Sequence, residues 1–217
     1  MKQVYICHDT VTGIFSALYD AWKEARDKEA GIELKGRIQQ RLFCEYKVVT
    51  ETEHKAQVLQ QMIKRNMGWN TYWDVYRAVL SDDDGKGEAV FRMMQEARTV
   101  RDSTKIMDHL GSPDVAKVFE LSRRVSNEAH IYKEFIRFRE LENGVLFSEI
   151  SPKNQVLTCI AEHFEDRFPL ENWMIYDKTH ETFLIHRKKE RCRLVCGETL
   201  NKEAVSRISE KEKRYEE

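Results

Sequence analysis

FRELENGVLF, residues 138–147, is where the chain changes its periodicity, and its reading decides the fold. Asn143-Gly144 between apolar runs marks a hairpin tip, because both residues tolerate the positive φ that tight turns require. A two-residue turn would set Glu142 opposite Val145 and Glu140 opposite Phe147, mixing polar and apolar residues on both faces. A three-residue loop, Glu142-Asn143-Gly144, sets Leu141 opposite Val145 instead. Ile136 then faces Ile150, and Glu140 faces Leu146, which leaves one face mostly apolar. The other face carries Arg137 opposite Glu149 and Arg139 opposite Phe147, an ion pair and a cation over a ring. Such pairs stabilise a sheet by about 0.2–1 kcal/mol each. The three-residue loop is therefore expected, with Arg139 keeping donors for another partner.

Downstream, Val156, Leu157, Ile160 and Phe164 outline a helix near 154–166. NWMIYD and ETFLIH follow as a second hairpin, and CRLVC as a further strand. Residues 198–217 are densely charged and read as a helix or tail. Upstream, the period is helical. Val115, Val118, Phe119, Val125 and Ala129 mark one helix after the break at Gly111-Ser112-Pro113, and Val90, Phe91 and Met94 mark another. Tyr72, Trp73, Tyr76, Val79 and Leu80 form an apolar stripe. Thr50-x-x-Glu53 has the form of a capping box for a helix packing Ala56, Leu59, Met62 and Ile63. QVYIC (3–7) reads as a strand, 11–29 as a helix burying Ile14, Phe15, Leu18, Trp22 and Ala25, and LFCEYKVV as extended. The expectation is an α+β fold with an antiparallel-rich sheet and a helical middle section. One domain would span 1–197, helical over about 50–131 and sheet-rich over about 132–197.

With 217 residues the chain can bury a sizeable core. Its 36 Lys+Arg against 37 Asp+Glu exclude a global basic field, so any nucleic-acid contact must be local. Five scattered cysteines suit thiols in a reducing cytoplasm better than a disulfide framework. No stretch approaches the length of a membrane span.

SDDDGKGEAVF is not a calcium loop, since aligning Gly85 puts Leu80 and Phe91 where oxygen ligands belong. It is not a phosphate loop either. Cys192 and Cys196 lack a second ligand pair for zinc and read as buried thiols. No metal or cofactor is expected. Cys159, His163 and Asp166, at i, i+4 and i+7, share a helix flank and are the candidates for hydrolytic chemistry. Side chains radiating from one helix rarely converge, which favours an ordinary polar flank. HRKKERCR (186–193) supplies Arg187, Lys188, Lys189, Arg191 and Arg193, with Trp173 and Tyr176 shortly before. Together with Arg139, these could take phosphates and bases; the bland alternative is a solvated turn.

FIRFRELENGVLFSEISPKNQVL and HFEDRFPLENWMIYD resemble an uncharacterised bacterial family whose members are labelled DNA metabolism proteins. SRRVSNEAHIYKEF and FSALYDAW fit the same family. Its members accompany a DNA modification/repair radical-SAM protein, and some are joined to a uracil-DNA-glycosylase-like domain. Where the family has Asp-Gly near the N-terminus, this chain has His8-Asp9-Thr10. Members also run on into a Trp-containing segment beyond the charged tail, so a shortened form is expected here. The resemblance implies an accessory protein of DNA metabolism or repair, and the scattered cysteines a cytoplasmic one. It would bind DNA, or the radical-SAM or glycosylase-like partner, through Arg139, Trp173, Tyr176 and the 187–193 cluster. The alternatives are a hydrolytic enzyme of the same pathway or a pure scaffold. The family supplies no catalytic residues to carry over.

Overall fold

A computed structural model describes residues 2–38 and 42–197. The expected helix or tail over 198–217 lies outside the described residues. The chain divides into two compact units between Val125 and Ser126.

The first unit is built on three parallel strands. β1 (Lys2–Cys7) lies between β2 (Ala30–Leu34) and β3 (Cys44–Val48). Four of the six β1 residues and all five of β2 are buried, the near-continuous burial that parallel strands covered on both faces show. Sequence alone passes over β2, because AGIEL is short and carries a glycine and a glutamate. The helix α1 (Val11–Ala25) starts where extended Thr10 accepts the Gly13 N–H at 2.9 Å. Glycine is needed at 13, since a Cβ there would lie 2.6 Å from the His8 carbonyl oxygen.

α2 (Glu53–Val79) is capped by Thr52, whose hydroxyl accepts the Lys55 N–H. The start at Thr50 read from the capping-box spacing is thus displaced by two residues. α2 also breaks inside, at Gly68 (φ 85°, ψ 166°), where the backbone leaves the helical region altogether. α3 (Lys86–Ala97) comes close enough to β2 that a Cβ on Gly87 would meet Ile32 at 2.6 Å. A 3-10 turn covers Ser103–Asp108. Phe15, Leu18, Ile32, Leu59, Ile63 and Phe91 are all buried and form the centre of this unit's core. α4 (Pro113–Phe135) spans the division between the units.

The second unit is a five-stranded sheet in the order β4 (Arg139–Glu140), β5 (Leu146–Ile150), β6 (Trp173–Asp177), β7 (Thr182–His186), β8 (Arg193–Cys196). The hairpin joining β4 to β5 has the expected register. Arg139 pairs with Phe147 and Glu140 with Leu146, Leu141 N–H donates to the Val145 carbonyl, and Gly144 has φ 77°. β4 is only two residues long, so the expected Arg137–Glu149 pairing is not part of the ladder; Glu149 meets Lys178 at 3.6 Å instead.

The antiparallel-rich sheet is corrected. β5 and β6 run parallel, joined through α5 (Leu157–Arg167), and with β1–β2 and β1–β3 this makes half of the six strand pairings among the described residues parallel. Two hairpins separated by a helix form a crossover, and a crossover returns the chain in the same direction. The fold is mixed α/β.

α5 covers one face of this sheet. Ile160 and Phe164 pack there with Trp173, Ile175, Leu184 and Ile150. Glu128 of α4 fixes the β5–α5 connection by accepting the Lys153 and Asn154 backbone N–H groups at 2.7 and 2.9 Å. No helix among the described residues is long and apolar enough to cross a membrane.

Candidate nucleic-acid interface

Strand alternation puts residues two apart on the same face. On the face opposite α5, the registers align one residue from every strand into a row: Arg139, Phe147, Met174, Ile185 and Arg193. With strands about 4.8 Å apart, the two arginines close the ends of a strip about 19 Å long. Beside it runs a second row, Glu149, Tyr176, Phe183 and Val195. Arg139 lies over the Phe147 ring at 5.2 Å, as the hairpin register requires. Tyr176 stacks on Phe183, their ring centroids 4.5 Å apart. Phe147 and Phe183 are buried, Tyr176, Met174 and Ile185 half-buried, and both arginines exposed.

The β7–β8 edge of this face opens into a hollow of about 190 Å3. Ile185 and Val195 contribute apolar walls, and Arg187, Arg191, Arg193 and Glu190 the charged ones. Two of the three guanidiniums are partly engaged. Arg193 meets Glu190 at 3.4 Å, and Arg191 meets Glu165 of α5 at 3.2 Å while keeping 90 % of its side chain in solvent. Arg187 forms no ion pair among the described residues. Three guanidiniums against one lining carboxylate make the hollow positive, and Arg is the side chain whose planar donors match phosphate oxygens.

Lys188 and Lys189 are exposed but do not line the hollow. Their backbone N–H groups are tied back to Asn172 Oδ1 and to the Pro169 carbonyl at 3.0 and 3.2 Å, and Lys189 sits at φ 66°. Trp173 is on the opposite face. It is fully buried, stacked on His186 at 5.0 Å and 14°, so its ring has no face to offer a base.

The three members of the helix-flank triplet have different settings. Asp166 is exposed, while His163 Nε2 is buried beside the ring of Phe164 without a hydrogen-bond partner among the described residues. Cys159 is half-buried against the apolar core. No group of three His, Cys, Asp or Glu among the described residues is arranged to hold a metal ion. Cys192 and Cys196 differ in setting: Cys196 is exposed and not a buried thiol, while Cys192 packs on the core. Burial, then the neighbouring Glu165 carboxylate, pushes the Cys192 thiol well up, which makes it a poor nucleophile. Burial also raises the Glu165 carboxyl, but the Cys192 N–H and Arg191 outweigh this and hold it below its usual range.

A polar cluster that sequence reading missed lies at the carboxyl ends of β1 and β3. Glu51 accepts both the backbone N–H of His8 and its ring Nδ1, at 2.6 and 3.0 Å, and Lys35 Nζ lies 3.2 Å from His8 Nε2. Parallel sheets place ligands at such ends. Here Glu51 and Lys35 flank the two imidazole nitrogens of His8, and the contacts form a clasp between strand ends. Nearby, fully buried Lys86 donates to Asp9 and to the Ser81 carbonyl at 2.6 and 2.5 Å.

Residues 84–217 match the family described as a domain of unknown function, DUF4130. The chain belongs to that family. No curated protein matches the chain. The DUF4130 match takes in α3, α4, the whole five-stranded sheet and the arginine hollow; the three parallel strands precede it.

Proposed function

We propose that this DUF4130 protein is a non-catalytic accessory protein of DNA metabolism whose five-stranded sheet binds a nucleic-acid strand. The reading rests on one observation, the row running from Arg139 through Phe147, Met174 and Ile185 to Arg193 and into the Arg187–Arg191 hollow. A sheet face of that composition takes phosphates on its guanidiniums and sugar or base surface on its apolar strip. The sequence resemblance to DNA-metabolism proteins supplies the polymer. A radical-SAM DNA modification/repair enzyme, or a glycosylase-like domain, is the partner that would act on what this chain holds.

The test is fluorescence anisotropy with a labelled short oligothymidine and with a short duplex, at low and moderate salt. If the four arginines each meet a phosphate of a single strand, affinity should fall about 50-fold between roughly 50 and 200 mM salt. The triple variant Arg187→Glu, Arg191→Glu, Arg193→Glu should lose most of that affinity and most of its salt slope. Absence of binding to either probe, or binding unchanged by salt and by the triple variant, would overturn the reading. Copurification with the radical-SAM enzyme after nuclease treatment, with no shift of either probe, would replace it with a pure scaffold.

A further inference from the structure

The second half of α2 places two tryptophans in solvent. Trp69 is 61 % exposed and Trp73 46 %, although the helical stripe Tyr72, Trp73, Tyr76 reads from sequence as core. Indoles left that open present apolar surface to water, and a contiguous exposed apolar patch marks an interaction site. The rings form one patch. Tyr72, only 5 % exposed and anchored by its hydroxyl to Gln60 Oε1 at 3.1 Å, stands between them, with centroids 6.2 Å from Trp69 and 5.2 Å from Trp73. Trp73 in turn packs edge-on to Tyr76 at 5.6 Å.

On α2 the available charge beside the patch is basic. Lys64 Nζ lies 4.0 Å from the Tyr72 ring centroid and 4.7 Å from that of Trp69, and Arg65 is exposed. After Glu53, α2 holds a single acidic residue, Asp74, and that carboxylate is taken by Arg77 and Ser122 at 2.9 and 2.7 Å. Among the described residues, neither Lys64 nor Arg65 forms an ion pair. This local basic field stands in a chain whose formal net charge is −1.

Exposed indoles, with a lysine over one ring and an exposed arginine next to it, match a polyanion that carries flat apolar groups. From this we infer that the Trp69–Trp73 patch is a stacking surface for unpaired bases of a single nucleic-acid strand, with Lys64 and Arg65 meeting its phosphates. A duplex cannot use the rings, because its base faces are already stacked on one another. The patch therefore confers preference for single strands. It lies in the first unit, outside the arginine hollow, and stands or falls separately from it.

Four tryptophans make the test direct, since Trp22 is half-buried and Trp173 fully buried. A short oligothymidine should quench the intrinsic fluorescence of the full chain, and a duplex should not. Trp69→Ala and Trp73→Ala, both at exposed positions, should fold normally by far-UV circular dichroism. Each should weaken oligothymidine binding about tenfold or more, and the double variant should abolish the quench while leaving duplex affinity unchanged. The Arg187→Glu, Arg191→Glu, Arg193→Glu protein should keep the quench at saturating oligothymidine. Unquenched fluorescence at saturation, or a double variant that binds oligothymidine as wild type does, would overturn the stacking surface whatever the arginine variants show. Loss of quench in the tryptophan variants together with full binding by the arginine variant would instead overturn the hollow and retain the patch.

Discussion

Replacing Trp173 separates packing from hydrogen bonding in the second unit's core. The indole is 0 % exposed, lies flat on His186, and meets Phe138 and Phe164 edge-on, each at 6.1 Å. Its Nε1 is buried without a partner among the described residues. Trp173→Ala deletes the whole ring and should cost about 3–5 kcal/mol, as large-to-small core changes do. Trp173→Phe keeps one six-membered ring. The smaller apolar surface and the void beside it should cost about 2 kcal/mol, while removing an unsatisfied buried donor relieves about 1–3 kcal/mol. The phenylalanine variant should therefore lie within about 1 kcal/mol of wild type. Urea unfolding followed by far-UV circular dichroism reads the difference. At a slope of about 2 kcal/mol per molar, the alanine variant's midpoint for this unit falls by about 2 M and the phenylalanine variant's by no more than about 0.5 M. If Trp173→Phe proves as damaging as Trp173→Ala, the indole N–H has a partner in solution, such as a buried water, and the reasoning fails. Both variants, compared while folded, should bind oligothymidine as wild type does, because this ring faces away from the arginine row.

Gly68→Ala should destabilise the first unit by about 1–3 kcal/mol, measured as a fall in its thermal midpoint. The new Cβ meets nothing nearer than Thr104 Cβ at 3.9 Å, so the cost is that of holding alanine at φ 85°, ψ 166°. A gain in stability, which alanine provides in a continuous helix, would show that the break is not kept in solution. Cys7 makes the first unit sensitive to alkali. Burial first, then the Glu51 and Asp9 carboxylates, push its thiol from an ordinary value of 9.0 to about 12. A pKa raised by folding contributes stability that is complete below pH 9 and is lost as the pH climbs toward 12. The slope is at most about 1.4 kcal/mol per pH unit. The stability difference between wild type and Cys7→Ala should change by about 1 kcal/mol, against wild type, between pH 9 and 10; an unchanged difference would refute the assignment.

The hairpin at Asn143-Gly144, its three-residue loop and the placing of Arg139 over Phe147 were all legible in sequence. Turn chemistry and strand alternation act over a few residues, and a one-residue slip would have scattered the apolar side chains over both faces. The helical period likewise located α1, α3 and α5. Strand direction was not legible. NWMIYD has the same local character whether it pairs parallel or antiparallel with LFSEI, and only the passage of the chain through α5 settles it. Exposure was not legible either. Trp73 and Trp173 are the same residue type in equally apolar surroundings, yet one stands in solvent on α2 and the other lies sealed under α5. Periodicity names the apolar stripe of an element, but whether a neighbour arrives to cover it depends on residues far away in the chain. The binding row is the same case. Arg139 and Arg193 are more than fifty residues apart in sequence, and the registers of five strands bring them to one face with the apolar strip between them.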